Sequence, residues 1–337
     1  MSGGPDPAAL AEDLRCGGRR ALARAITLVE STRPDQAELA QDLLDRVMPW
    51  TGNAVRVGVS GTPGVGKSTL IEALGLRLCD QGKRLAVLAI DPSSPLTGGS
   101  ILADKTRMEA LGRRPEAFIR PSPSQGALGG VALRTREALL LCEAAGFDVV
   151  VVETVGVGQN EVEVASMVDT FVLLLQPAAG DAVQGVKRGV LELADLVIVN
   201  KADGDLLPSA RETKRQYEQG LSLLRPASRG WSPRVMLCSA REGMGLDEAW
   251  QDVEEHRAYL DRSGELATRR AAQAERWLRA AFLEGIDRRV NASPQLARAL
   301  DDATRSVKEG RTSPTRAARE LADTLFAGPH TEDGEER

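Results

Sequence analysis

The chain has 337 residues, 42% hydrophobic and 27% charged, with 33 glycines, 17 prolines and a formal net charge of −5. That composition excludes collagen-like, disordered and disulfide-scaffold proteins, and the acidic balance argues against nucleic acid or an anionic membrane as the main partner. Aromatics at 3% leave few platforms for stacking single-stranded bases, and two histidines, His256 and His330, exclude a histidine-rich zinc site.

Residues 7–48 read as two amphipathic helices broken near Ser31-Thr32-Arg33-Pro34, with Leu10, Leu14, Leu22, Ile26, Leu39 and Leu43 at helical spacing. From residue 55 short runs rich in Val, Ile and Leu alternate with helical stretches: 55–60, 84–90, 117–120, 149–153, 170–175, 196–200 and 235–239. Most are apolar on both faces, as strands of a buried parallel sheet are. Beyond about residue 246 the pattern is helical: a charged stretch over 248–289, then helices separated by Pro294 and Pro314. The expected architecture is α/β, a mostly parallel sheet flanked by helices with helical extensions at both ends. The expected divisions are 1–50 for the N-terminal extension, 51–255 for the sheet domain, 256–327 for a C-terminal arm and 328–337 for a flexible tail. Cys16, Cys79, Cys142 and Cys238 form no CxxC pair, and Cys142 and Cys238 lie in apolar runs that suit buried free thiols. No stretch reads as a leader peptide or a membrane span, so the expected location is the cytoplasm.

Gly61-Thr62-Pro63-Gly64-Val65-Gly66-Lys67-Ser68 fits the phosphate-loop pattern GxxxxGK[ST], and Thr69 continues it into a helix. The glycines let successive backbone N–H groups curl around phosphate oxygens. Lys67 reaches the terminal phosphates, and Ser68 offers a hydroxyl to Mg²⁺.

Asn200-Lys201-Ala202-Asp203 follows an apolar strand, at the edge where open α/β sheets bind ligands. A carboxylate at Asp203 can accept two hydrogen bonds from the guanine N1–H and exocyclic amine, a pair that adenine does not present. Lys201 is expected over the base and Asn200 as a brace of the loop. Ser239-Ala240-Arg241 follows the next strand, where a backbone N–H can reach the guanine O6. Three such elements in order favour GTP over ATP.

Two acidic positions end further strands: Asp91, opening a turn-rich loop that continues to Asp104 and Arg107, and Glu153, opening Glu153-Thr154-Val155-Gly156-Val157-Gly158-Gln159. Ser68 with Asp91, Asp104 and Glu153, directly or through water, supplies the hard oxygens Mg²⁺ prefers. The plain alternative for Asp91 and Asp104 is turn formation or helix capping. Residues 176–187 form a third candidate mobile segment, whose Lys187 is either a charge for the transition state or a solvated lysine. Lys67, Glu153 and Lys187 are therefore the candidate catalytic residues. Arg107 is the only nearby candidate for an arginine finger, so slow intrinsic turnover is expected.

Taken together, the 61–68 loop, Asp91-Pro92-Ser93-Ser94 with Asp104-Lys105-Thr106-Arg107, the 153–159 stretch and 200–203 resemble the MeaB/ArgK GTPases, related to the human MMAA protein. The likeness runs from about residue 8 to 326, with Ala103 standing where glycine is expected. It implies a homodimeric GTPase that gates adenosylcobalamin loading and protects or reactivates methylmalonyl-CoA mutase or a related B12 isomerase. A cobalamin adenosyltransferase is a second implied partner. The likeness also implies that Asp91, Asp104 and Glu153 are Mg²⁺-associated acids, that 176–187 is a switch, and that the C-terminal helices dimerise. The competing readings are a P-loop kinase of a small metabolite, which needs no guanine-specific Asp203, and a GTPase serving another metal such as nickel.

Overall fold

The computed structural model describes residues 6–31, 33–90, 108–122, 128–154, 160–177, 188–223, 228 and 230–326. Its N-terminal part holds three helices, α1 (Pro7–Arg15), α2 (Arg19–Val29) and α3 (Pro34–Val47), where the periodicity alone indicates two. The extra break falls at Gly17, which turns the chain in a left-handed conformation (φ 76°) that a side chain would strain. The apolar spacing continues across the break, so Leu10, Leu14, Leu22 and Ile26 are all buried.

All seven expected strands are present: β1 (Val55–Gly61), β2 (Leu85–Ile90), β3 (Ala117–Ser122), β4 (Val149–Thr154), β5 (Thr170–Leu175), β6 (Leu196–Val199) and β7 (Arg234–Leu237). They form one sheet in the order β3-β2-β4-β1-β5-β6-β7, and every pairing is parallel. Every residue of β2, β4, β5 and β6 is buried, which is why these strands read as unbroken apolar runs rather than alternating ones.

The helices between strands are α4 (Lys67–Asp80), α5 (Glu109–Gly112), α6 (Leu128–Ala144), α7 (Asn160–Ala165), α8 (Arg188–Leu191) and α9 (Leu207–Ser222), and α10 (Leu246–Ser263) follows the last strand. One core cluster joins α4 (Leu70, Ile71, Leu78) to β1 (Val57, Val59) and to α10 (Ala249, Trp250, Val253). Cys79, Cys142 and Cys238 are buried free thiols, and burial pushes the pKa of Cys238 up to about 12.

The charged stretch beyond residue 246 is divided at Gly264 between α10 and α11 (Glu265–Ala292), followed by α12 (Pro294–Lys308) and α13 (Pro314–Phe326). Pro294 and Pro314 open their helices, where the missing N–H costs nothing. The chain divides into two compact units, Met1–Ala274 and Glu275–Arg337. No helix among the described residues is long and apolar enough to cross a membrane.

Candidate nucleotide site

Because the sheet is parallel, the loops after β1, β4, β6 and β7 all emerge at the carboxyl ends of their strands, on one edge of the first unit. The loop after β1 runs straight into α4, so the helix N-terminus and its unpaired N–H groups stand at that edge. Gly66 precedes the helix with φ 94°, and a Cβ there would lie 2.6 Å from the Asn200 amide nitrogen. Both the conformation and the contact demand glycine.

Lys67 is almost fully buried, and its Nζ donates to the Gly61 carbonyl at 2.8 Å and the Thr62 carbonyl at 3.4 Å. The ammonium is thus held inside the loop that Pro63, Gly64 and Val65 complete. Ser68 Oγ donates to Glu153 Oε1 at 3.1 Å, which brings the first turn of α4 to the end of β4. A hydroxyl and a carboxylate side by side, with no sulfur or imidazole, form a donor pair that fits Mg²⁺. Asp91, Asp104, Arg107 and Lys187, with the 155–159 and 178–187 stretches, lie outside the described residues.

The loop after β6 is tied to the phosphate loop by two side chains. Buried Asn200 donates from Nδ2 to the Val65 carbonyl at 2.9 Å and accepts from the Ala240 N–H at 3.2 Å. Lys201 Nζ donates to the Gly64 carbonyl at 2.6 Å, and Lys201 is the only non-glycine with positive φ (59°) among the described residues. Asp203 accepts from Ser239 Oγ, and the Glu242 N–H donates back to that hydroxyl at 3.1 Å. The sequence-derived brace and the acid therefore sit where the loops after β6 and β7 meet.

Between these loops lies a cavity of about 300 Å³, lined by Asn200, Lys201, Asp203, Leu206, Ala240 and Arg241, with Thr69 of α4 on its phosphate side. Leu206 is the addition to the sequence reading. It is a large apolar residue, 45% exposed, on the wall of this pocket, where it adds to the apolar surface that the Lys201 stem and Ala240 present. The signal for it was weak: a leucine three residues after an acid is ordinary in any loop-to-helix junction.

A profile of the family "Methylmalonyl Co-A mutase-associated GTPase MeaB" matches residues 22–295. The chain belongs to the MeaB family of GTPases. Among its relatives, a probable GTPase of Mycobacterium tuberculosis is 52% identical over 314 residues, covering 93% of this chain and 94% of that protein. The GTPase ArgK of Escherichia coli is 48% identical over 312 residues, covering 93% of this chain and 94% of its own. The mitochondrial methylmalonic aciduria type A homolog of Mus musculus is 48% identical over 312 residues, covering 90% of this chain and 75% of that protein. The crystal structure of an LAO/AO transport system kinase aligns with a TM-score of 0.75 at 41% identity, covering 96% of this chain and 99% of that one. The fold is thus that of a MeaB-family P-loop GTPase.

Proposed function

We propose that this MeaB-family protein hydrolyses GTP to GDP and phosphate and uses the two nucleotide states to gate adenosylcobalamin loading of methylmalonyl-CoA mutase and to protect or reactivate that enzyme. The observation that carries the GTP reading is the joining of three loops in one pocket: Asn200 touches both the phosphate loop and Ala240, and Asp203 touches Ser239. The family's association with methylmalonyl-CoA mutase supports that enzyme as partner.

In this reading the backbone N–H groups around Gly64–Gly66 and the N-terminus of α4 hold the β-phosphate, and Lys67 neutralises charge between the β- and γ-phosphates. Ser68 and Glu153 would hold Mg²⁺, with Asp91 and Asp104 as further candidate acids for it. When bound, the ion offsets charge on the phosphate oxygens. Asp203 accepts the guanine N1–H and amine, the Ala240–Arg241 backbone faces O6, and the Lys201 stem and Leu206 cover the ring. Lys187, in the 176–187 switch, adds positive charge at the transition state once the partner is bound, so turnover by the protein alone is slow.

The C-terminal arm, 256–327, is proposed as the homodimer contact. Leu278, Phe282 and Leu283 on α11 are 71%, 63% and 65% exposed, an apolar surface that a second copy would cover.

The test is phosphate release from GTP and from ATP, with and without methylmalonyl-CoA mutase. Slow GTP hydrolysis accelerated by the mutase is expected. GTP hydrolysis indifferent to the mutase would move the search to another B12-dependent isomerase. Equal use of ATP would remove the role given to Asp203 and favour a kinase.

A further inference from the structure

The turn that faces the base edge is fastened from a direction the sequence motif does not contain. Ser239 and Met244 pair across it, the Ser239 N–H donating to the Met244 carbonyl at 2.9 Å and the Met244 N–H returning to the Ser239 carbonyl at 3.1 Å. Residues 240–243 stand clear of that clip, and Arg241 and Glu242 are exposed. Left to the clip alone, such a tip is free to shift by the fraction of an ångström that decides a hydrogen bond.

Arg77, in the last turn of α4, reaches this tip. Its Nη2 donates to the Gly243 carbonyl at 2.7 Å, and its Nη1 pairs with Asp247 in the first turn of α10. One guanidinium therefore spans the end of the turn and the start of the helix that follows it. Asp247 is 65% exposed, so the ion pair itself adds little stability. The fixed fork geometry is what matters, because it sets where the Gly243 peptide lies. From there a short chain runs back to the pocket: the Glu242 N–H bonds Ser239 Oγ, and the Ala240 N–H bonds Asn200.

Arg77 also shares a rigid element with the phosphate loop. It lies ten residues beyond Lys67 in the same unbroken helix, about 15 Å along the axis. The helix that presents its N-terminus to phosphate thus braces the base-facing turn with its far end.

We propose that Arg77 is a positioning residue for guanine recognition, holding the 240–243 turn so that its backbone at Ala240–Arg241 meets O6 of the base. This rests on the guanine reading of the pocket given above. It assigns to α4 a part in base selectivity in addition to phosphate binding.

The experiment measures Kd on the full chain for GDP, inosine diphosphate and 2-aminopurine riboside diphosphate, with ADP as control. The inosine nucleotide keeps O6 and lacks the exocyclic amine; the 2-aminopurine nucleotide keeps the amine and lacks O6. Arg77→Met, which retains the stem, is expected to weaken GDP and inosine diphosphate by about tenfold, and the 2-aminopurine nucleotide by less than about twofold. Equal losses for all three would make Arg77 a general structural residue, and no loss would make its contact idle; either result overturns the proposal. Should Arg77→Met fail to fold, Arg77→Lys, with a single donor head, is expected to show the same selectivity at about threefold. An unselective loss there overturns the proposal equally. If the unmodified protein binds ADP as tightly as GDP, the guanine reading itself falls, a failure visible before any variant is made.

Discussion

At the carboxyl ends of the strands, Glu153 and Asp203 each meet a serine hydroxyl, from Ser68 and Ser239. At the amino ends, Asp169 and Asp195 sit just before β5 and β6 and are ringed by arginines and backbone donors. Arg270 grips Asp169 through two bonds at 2.9 and 2.7 Å, Arg257 adds one at 3.1 Å, and the Arg56 N–H a fourth at 3.1 Å. Asp195 accepts from the Phe171 N–H and Ser228 Oγ, both at 2.9 Å, with Arg269 at 3.4 Å and His256 beside it. Arg56 and Glu143 complete this end as a buried bidentate pair at 2.8 Å. Acids of the same type do different work because of their partners. Saturated with cations and peptide N–H groups, a carboxylate becomes framework; paired with a rotatable hydroxyl, it can exchange that contact for a ligand.

The sharpest way to test the contrast is to remove charge at the nucleotide end. Lys67→Ala is expected to lower GTP turnover by at least about a hundredfold, read as phosphate release, because nothing else in the loop replaces its charge. Asp203→Asn comes next. It is expected to weaken GTP about a hundredfold in a binding titration and to erase the preference over ATP, while the melting temperature stays within about two degrees.

Asp169→Asn at the opposite end should show the reverse. Removing one member of a buried ionic cluster costs about 3–5 kcal/mol, a fall of roughly 10 °C in melting temperature, with GDP affinity of the folded protein unchanged within about twofold. Loss of affinity equal to that of Asp203→Asn would dissolve the distinction between the two ends.

The smallest effect concerns pH. Burial holds the His256 imidazole below its ordinary pKa; the Asp195 carboxylate pulls it back up, and Arg269 lowers it further. A group with a depressed native pKa binds fewer protons when folded, so its contribution is complete above about pH 6.5 and is lost as pH falls below that. A thermal-melt series should show stability dropping below about pH 6.5 more steeply in the unmodified protein than in His256→Gln. Parallel curves would exclude His256 as the source.

The sheet and the nucleotide loops were legible because their signals are local. A run such as Val149–Thr154, buried throughout, announces a central strand, and residues 61–68 carry glycines that phosphate contact requires. The amino-end cluster was not legible. Arg56 and Glu143 are 87 residues apart in the chain, and Arg270 and Asp169 are 101 apart. Each reads alone as a solvated charge, and only the fold brings them together. The division at Gly264 was hidden for another reason: helical periodicity in a charged stretch survives a single left-handed residue, so the pattern continues where the helix does not.

Lys201 carries its own consequence. A lysine in the left-handed region is disfavoured by roughly 1–2 kcal/mol, and here backbone bonds on either side of it, Asn200 N–H to the Leu175 carbonyl at 2.8 Å and Ala202 N–H to the Cys238 carbonyl at 3.0 Å, fix the chain. The loop after β6 therefore takes its left-handed turn on folding, without help from a ligand. In the guanine reading proposed above, a nucleotide would meet a loop whose shape is already set, and Lys201→Gly would ease the backbone while loosening that preset shape.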